Sequence, residues 1–204
     1  MDAHHIGRIV IHPRNPNIVY VAAVGHLFGA NAERGVYRTM DGGQTWKKVL
    51  AGDSVTGAID VALDPDGRTL YAAMYQRQRR GFGFVGGGTG SGLFRSRDGG
   101  DSWERLTNGL PTGIQGRIGI AIAPSQPNTV YAIMEAKGGG VFRSDDKGVN
   151  WTLNEPFMAL PQRAEWGGAG NETPALSSMT IHPADSRRMA QVVPQGPGHG
   201  PAQV

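Results

Sequence analysis

The side chains best suited to ligand chemistry are crowded into one short, glycine-rich stretch. It contains three arginines (Arg77, Arg79 and Arg80) and two aromatic residues (Phe82 and Phe84). A guanidinium group binds a carboxylate through two parallel hydrogen bonds, so cations beside aromatic rings are suited to an anionic or sugar ligand. The surrounding glycines leave a second interpretation open. In that interpretation the stretch is a mobile surface loop whose arginines are solvated or contact a neighbouring chain.

Carboxylates could supply a second kind of chemistry, because hydrolysis of a glycosidic bond needs two carboxyl groups about 5 to 10 Å apart. Asp60 stands out because it lies within an apolar segment, whereas Glu33 and Glu165 lie in segments typical of loops. Asp60 is either part of a charged site with Arg8 in a central channel or one half of a structural ion pair, because buried charges are normally paired. The sequence alone brings no two carboxyl groups together, so no catalytic residue is assigned.

Metal and cofactor chemistry have little support in the sequence. The chain has no Cys, and no spacing among its His residues resembles a zinc site. His4 and His5 are adjacent, so their side chains would diverge on a strand. The glycines after Arg80 do not match a phosphate-binding fingerprint, because no helix follows them. We therefore predict neither a metal nor a cofactor.

The elements that position these side chains are indicated by a motif, Ser/Thr-x-Asp-x-Gly-x-x-Trp, that occurs three times. The copies span residues 39–46, 96–103 and 144–151, and each follows an apolar residue, an aromatic residue and Arg. An Asp at a bend accepts hydrogen bonds from its own loop, Gly suits a positive φ, and Trp buries a large ring. We interpret the copies as fold-forming turns between strands. Their key residues are Asp41, Gly43, Trp46, Asp98, Gly100, Trp103, Asp146, Gly148 and Trp151.

Strands in sets of four surround each motif. The first strands are apolar on both faces, which predicts that they are covered on both sides. They end at Pro13, Pro65 and Pro124, which cannot donate to a sheet ladder. Four antiparallel strands repeated every 50 to 60 residues or so are typical of β-propeller blades. We therefore predict an all-β fold, a partial β-propeller with three full blades and part of a fourth. The predicted single domain spans 1–193, with blades at about 4–50, 57–106, 116–153 and 177–193, and 194–204 form a disordered Gly/Pro-rich tail.

The motif resembles the Asp-box repeat, or bacterial neuraminidase repeat, of sialidases, xyloglucan hydrolases and sortilin-type propellers. Residues 5–13, 71–77 and 116–119 also resemble a bacterial group of sortilin-like propellers that are often labelled glycosyl hydrolases. The resemblance implies that ligands bind the rim opposite the repeated turns. His26 and Trp166 lie in loops of that rim and join the arginines and phenylalanines as candidate ligand-binding residues.

Sialidase chemistry is disfavoured within this resemblance. It would demand an arginine triad that holds the substrate carboxylate, together with a Tyr–Glu nucleophile pair. The sequence offers arginines but no such assembly. Four tyrosines fall at alternating or repeat-equivalent strand positions, where core packing explains them. They are Tyr20, Tyr37, Tyr71 and Tyr131.

Composition narrows the class of partner. Glycine accounts for 32 of the 204 residues and only 18% are charged, which is typical of many short strands joined by tight turns. The net charge is +3 and basic residues are spread along the chain, so nucleic-acid binding is not indicated. No apolar run is long enough for a membrane-spanning helix, and the N-terminus does not resemble a signal peptide. The localisation is left open.

Three functional hypotheses follow. The first and favoured one is a non-catalytic propeller module that binds a protein, peptide or glycan through its loop rim. The second is a fragment of a glycoside hydrolase, similar to xyloglucanases or sialidases, that acts on a polysaccharide. The third is a structural, self-assembling fragment, because an open arc of blades exposes apolar faces that favour association. The chain is accordingly expected to form a homo-oligomer or to be part of a longer propeller.

Overall fold

The computed structural model describes residues 3–81 and 83–155 in full, and the backbone alone of residues 178–182 and 185–192. The first sheet contains β1 (His5–Ile11), β2 (Val19–Gly25), β3 (Gly35–Thr39) and β4 (Lys47–Ala51). The second contains β5 (Thr56–Leu63), β6 (Leu70–Arg80), β7 (Gly83–Gly86), β8 (Gly92–Ser96) and β9 (Glu104–Leu106). The third contains β10 (Gln115–Ile122), β11 (Val130–Ala136), β12 (Gly140–Ser144) and β13 (Thr152–Leu153). A fourth sheet pairs β14 (Ser178–His182) with β15 (Asp185–Val192).

Each of the first three sheets is an antiparallel meander. The strand orders are β1-β2-β3-β4, β5-β6-β8-β9 and β10-β11-β12-β13, with β7 attached to β6. We call these sheets blades one, two and three, and the β14–β15 pair the half blade. This arrangement confirms the predicted all-β fold, a partial β-propeller of four-stranded antiparallel blades. The predicted tail at 194–204 lies outside the described residues.

The blades pack face to face through two apolar layers. Tyr20 and Ala22 of blade one pack with Leu70 and Ala72 of blade two, and Trp103 lies against this layer. The equivalent layer between blades two and three is larger. It contains Tyr71, Ala73, Leu93, Ile120, Val130, Ala132, Phe142 and Trp151. Because successive side chains on a strand point to opposite faces, each inner strand contributes to both of its neighbouring layers.

The first strands differ in burial. In β5 and β10 they lie between two sheets, as the sequence predicts, and Val61 and Ile120 are buried. The prediction is wrong for β1, where Ile9 and Ile11 are exposed. The reason is positional: β1 contacts β5 of blade two on one side, and among the described strands no sheet lies against its other face.

The three repeated turns, which we call box turns, have nearly the same hydrogen bonds. In the second, Ser96 Oγ donates to Asp98 Oδ1 at 2.7 Å and accepts from the Gly100 amide at 2.8 Å. The Ser102 amide donates to Asp98 Oδ1 at 2.9 Å, and Trp103 Nε1 donates to the Gly100 carbonyl at 3.1 Å. The Ser hydroxyl, the Asp carboxylate and the Trp indole of the motif therefore all have partners inside their own turn, as in an Asx-type turn.

Candidate functional site

The loops opposite the box turns form one connected surface, which we call the loop rim. The Asn31 amide of blade one donates to the Ser54 carbonyl at 3.0 Å, at the start of blade two. The Arg79 amide donates to the Leu27 carbonyl at 3.2 Å. Further along, the Gly88 amide reaches the Gln115 carbonyl of blade three at 3.0 Å. Backbone hydrogen bonds thus join loops from all three blades.

The arginine-rich stretch is a β-hairpin and not an irregular glycine-rich loop, although Arg79 and Arg80 are exposed. Strand β6 continues to Arg80 and pairs with β7, so that Arg77 lies opposite Gly86 and Arg79 opposite Phe84. The glycines do not prevent this pairing because they lie on the short returning strand, where the ladder needs backbone groups only. The hairpin therefore holds its arginines on regular backbone.

The pairing divides the group of side chains that the sequence places together. Cross-strand partners share a face of the sheet, so Arg77, Arg79 and Phe84 lie on one side of the hairpin. Arg80 lies on the other side, where its guanidinium donates to Gln78 Oε1 at 3.1 and 3.0 Å. Phe84 is 54% exposed. Phe82 lies outside the described residues.

Arg77 lies at the rim end of β6, and its charge acts both on Tyr75 of the same strand and on Arg34 of blade one. Its Nε is buried and donates to no partner among the described residues. Tyr75 precedes it on the same face of β6. Burial raises the pKa of Tyr75, and the charge of Glu135 raises it further, whereas Arg77 and Arg117 lower it. The neighbourhood thus contains two arginines and one carboxylate.

Arg34 is a buried cation beneath the candidate site that the sequence did not single out. Its side chain is fully buried and donates to the carbonyls of Val24 at 2.6 Å, His26 at 2.8 Å and Gly29 at 3.2 Å. Burial lowers the pKa of Arg34, and the charge of Arg77 lowers it further. Nothing in the sequence marks Arg34 except its place just before a third strand. In the fold it fixes the loop that carries His26 and brings positive charge under the rim.

His26 and its loop lie beside the hairpin. The His26 ring stacks on His4, with ring centroids 4.1 Å apart. Phe28, which follows in the loop, forms a β-bridge with Arg79 and is 62% exposed. We call Arg77, Arg79, Phe84 and Phe28, with His26 at its edge, the hairpin patch; Trp166 lies outside the described residues.

The described carboxylate candidates, Asp60 and Glu33, each accept hydrogen bonds from neighbouring residues and do not share a partner. Asp60 Oδ1 accepts from Arg8 Nε at 2.9 Å and from the Val61 amide at 3.0 Å, and its Oδ2 accepts from the Ile120 amide at 2.9 Å. Asp60 therefore joins blades one, two and three. This agrees with the alternative of a structural ion pair with Arg8, to which the Ile120 amide adds a hydrogen bond from blade three. Glu33 accepts a hydrogen bond from Asn31 at 3.4 Å. Glu165 lies outside the described residues.

Asp53 is a further carboxylate at the rim. Burial acts to raise its pKa, but hydrogen bonds from Val55 and Thr56 outweigh burial and lower the pKa. A carboxyl group held ionised in this way is poorly suited to donate a proton as a general acid. Among the described residues no three His, Asp or Glu side chains gather as metal ligands would.

The opposite rim contains an open groove of about 730 Å³ between blades two and three. Lys147 Nζ lies 3.1 Å from Asp64 Oδ2 and 3.3 Å from Asp66 Oδ2, so it offsets only part of the negative charge of the aspartates that line the groove. None of the candidate ligand-binding residues lies there. We therefore place the candidate site at the hairpin patch.

Similarity to known proteins supports the fold and indicates a class of relatives. No protein-family model matches the chain. The xyloglucanase Xgh74A of Acetivibrio thermocellus is 27% identical to it, over 75% of this chain and 20% of the enzyme. The chain thus spans about a fifth of the length of the curated relatives that it matches.

Two solved structures show the same architecture. The GH74 xyloglucanase of Xanthomonas campestris matches with a TM-score of 0.64 and 17% identity, over 91% of this chain and 26% of the enzyme. The GH74 enzyme of Niastella koreensis matches with a TM-score of 0.64 and 19% identity, over 91% of this chain and 28% of that one. At such identities the likeness shows the β-propeller fold. No helix in the described part of the chain is long and apolar enough to cross a membrane.

Proposed function

We propose that this chain is a propeller module that binds a glycan at the hairpin patch without cleaving it. The observation that carries the proposal is the exposure of Phe84, on the strand-paired hairpin with Arg77 and Arg79, and of Phe28 in the adjoining loop. Exposed aromatic rings offer flat apolar surfaces, and guanidinium groups offer several directed donors. Together they match the apolar face and the rim of oxygen atoms of a sugar ring.

The strands that hold the hairpin patch favour glycan binding, because binding groups on regular strands lose less conformational freedom when a ligand binds. The backbone of Arg79 is fixed by strand pairing with Phe84 on one side and by the hydrogen bond from its amide to the Leu27 carbonyl on the other. Arg34 fixes the loop beneath. The arginines extend the ligand class to glycans that carry carboxylate groups, which pair with guanidinium bidentately.

The absence of cleavage is proposed from the state of the carboxylates. Both oxygens of Asp60 already accept hydrogen bonds. The lowered pKa of Asp53 opposes a role as proton donor. Neither group has the environment of a general acid, whose pKa is raised towards neutrality in glycosidases.

The relatives favour a second candidate, a fragment of a polysaccharide hydrolase. They are named xyloglucanases, and this chain spans only about a fifth of their length. In that case the chain would contribute part of a substrate cleft, and a partner carboxylate would lie outside it. The same relatives support a polysaccharide as the ligand in the first candidate.

Binding should be measured by titration calorimetry with xyloglucan and with polygalacturonate as a carboxylate-bearing glycan. We expect binding of at least one of them, weakened about tenfold or more by Phe84→Ala or Arg79→Ala, which corresponds to roughly 1.4 kcal/mol. Matched controls on the opposite rim are Val149→Ala and Arg97→Ala, both exposed, and these should bind as the unaltered chain does.

The outcomes separate the candidates. Binding that is equal in hairpin and control variants, or no binding to either glycan, would contradict the proposal. Release of reducing sugar that disappears in Glu33→Gln would favour the hydrolase candidate instead. That assay should be run on the same samples as the calorimetry.

A further inference from the structure

Blade one exposes part of a face that the other two blades bury, although Val21 and Tyr37 on that face are themselves buried. Relative to the Pro that ends each first strand, Ile9, Val61 and Ile120 occupy the same place. Val61 is 1% and Ile120 4% exposed, because each packs against the preceding blade, whereas Ile9 is 60% exposed. Ile11, two residues later on the same side of β1, is equally open.

The tryptophans of the box turns follow the same gradient. Trp151 is buried in the layer between blades two and three, and Trp103 is half-buried in the layer between blades one and two. Trp46 is 37% exposed. Its indole still donates to the Gly43 carbonyl at 3.1 Å, so the turn is formed and only the covering blade is missing among the described residues.

A polar contact accompanies each apolar layer. Between blades one and two, the Gly99 carbonyl accepts from Tyr20 Oη at 2.9 Å and from Arg38 Nη1 at 2.7 Å. Between blades two and three, the equivalent carbonyl of Lys147 accepts from Tyr71 and Arg95.

In the first box turn, Gly42 occupies the position equivalent to Gly99 and Lys147. Like Gly99 it has a left-handed φ, and its amide donates to the Asn17 carbonyl as the Gly99 amide does to that of Arg68. Blade one therefore presents Ile9, Ile11, Trp46 and the Gly42 carbonyl, which are equivalent to groups that blades two and three use to pack.

The half blade contains the strands on which the exposed face of blade one could pack. In the two complete interfaces, the first strand of the later blade packs on the first and second strands of the earlier one: β5 on β1 and β2, and β10 on β5 and β6. The half blade consists of a first strand and a second strand, β14 and β15, and β14 lies beside β10. By topology a further first strand would pack on it.

We propose that a second copy of this chain docks head to tail, so that β1 and the first box turn of one copy pack on the β14–β15 half blade of the other. A contact between unlike surfaces either closes a ring or extends into a filament. Two copies contribute six full blades and two half blades, which lies within the range of about four to eight blades in closed propellers. The two contacts then close one ring and cover the open face of both copies.

Sizing by light scattering over a range of concentrations tests the association. We expect the chain to form a dimer and Ile9→Asp to shift its dissociation constant at least tenfold towards the monomer. The matched control is Ile114→Asp, at an equally exposed isoleucine on blade three, which should leave the dimer intact. Circular dichroism and thermal unfolding of both variants at low concentration show whether each still folds. A monomer at all concentrations, or equal effects of the two substitutions, overturns the proposal.

Thiol cross-linking tests the head-to-tail arrangement, because the chain contains no Cys. One sample carries Ile9→Cys, and three others carry Cys in place of Met189, Ala190 or Gln191 of β15. A short bis-maleimide should link the Ile9 variant to at least one β15 variant in mixed samples. Cross-linking of the Ile9 variant to itself would show a face-to-face dimer and overturn the proposed arrangement, as would the absence of any mixed product.

Discussion

At the scale of single residues, the structural role of an aspartate depends on where its hydrogen-bond donors lie in the chain. In the first box turn, the Thr45 hydroxyl, the Thr45 amide and the Thr39 hydroxyl together lower the pKa of Asp41 to about 2. These donors belong to its own turn, so Asp41 holds local geometry. Asp60, by contrast, accepts from Arg8 and from an amide of blade three, so it holds blades together.

Lys147 shows how a departure from a motif is accommodated. It occupies the place of Gly42 and Gly99 in the third box turn and has a φ of 57°, which disfavours most side chains. Its ammonium group pairs with Asp64 and Asp66 of blade two. These ion pairs offset the backbone cost, and they also join two blades.

The lowered pKa values predict a dependence of stability on pH. The pKa of Asp41 is about 2 in the fold, against about 3.9 in an unfolded chain. The stabilisation from such groups is therefore complete above about pH 4 and is lost as the pH falls towards 2. We expect the midpoint of urea unfolding to decrease steeply across this window.

Asp41→Asn tests the cause of this decrease. It should lower the midpoint at pH 7 and flatten its dependence on pH between about 4 and 2. Asp101→Asn is the control, because that exposed carboxylate pairs only with Arg38 among the described contacts and should leave the decrease steep. An equal slope in Asp41→Asn and the unaltered chain would contradict the prediction.

At the scale of elements, the second strands carry more than core packing. The sequence explains Tyr20 and Tyr71 as buried rings, and they are buried. Each also donates its hydroxyl to a box-turn carbonyl of the next blade. Burial raises the pKa of the Tyr71 hydroxyl, so it stays protonated and acts as a donor at any ordinary pH.

Tyr71→Phe should therefore lower the free energy of unfolding by about 1 kcal/mol, the net value of one buried hydrogen bond. The loss is no greater because Arg95 still donates to the same carbonyl. Tyr20→Phe should cost a similar amount, and the double variant should show the sum to within about 0.5 kcal/mol, since the interfaces are separate.

The measurement is urea unfolding followed by tryptophan fluorescence. Tyr37→Phe is the control, because that ring points to the other face of blade one, under Lys48, and should change stability little. Tyr71→Phe with unchanged stability would show that the interblade hydrogen bond contributes nothing net.

At the scale of the whole molecule, Asp60 is the one described carboxylate that binds donors from three blades. Asp60→Ala leaves Arg8 without its carboxylate and the Ile120 amide without its acceptor. We expect a loss of roughly 2 to 4 kcal/mol in the free energy of unfolding. Arg8→Ala should cost less, at most about 1 kcal/mol, because the Arg8 side chain is half-exposed.

Guanidinium unfolding monitored by circular dichroism measures both losses. Asp101→Ala, which breaks an exposed pair with Arg38, is the surface control and should cost under about 1 kcal/mol. If Asp60→Ala cost no more than this control, the three-blade contact would not be a source of stability.

Features that depend on residues close together in the chain could be predicted from the sequence. The box turns are built from side chains and amides within eight positions of one another, so their roles follow from the motif. The meander of four strands follows from the Pro at each first turn and from the recurring apolar segments. The pairing of Asp60 with Arg8 was one of two alternatives in the sequence, because equivalent positions of adjacent repeats lie close in a stack.

Features that depend on residues far apart in the chain could not be predicted from the sequence and became visible in the fold. The extension of β6 depends on pairing with β7 and on contacts with the loop of blade one, so the sequence indicated a loop. The burial of Arg34 depends on three carbonyls that the fold gathers around it. The exposure of β1 depends on which sheet covers it. Periodicity records that a strand is apolar on both faces, but not whether a partner for each face is present.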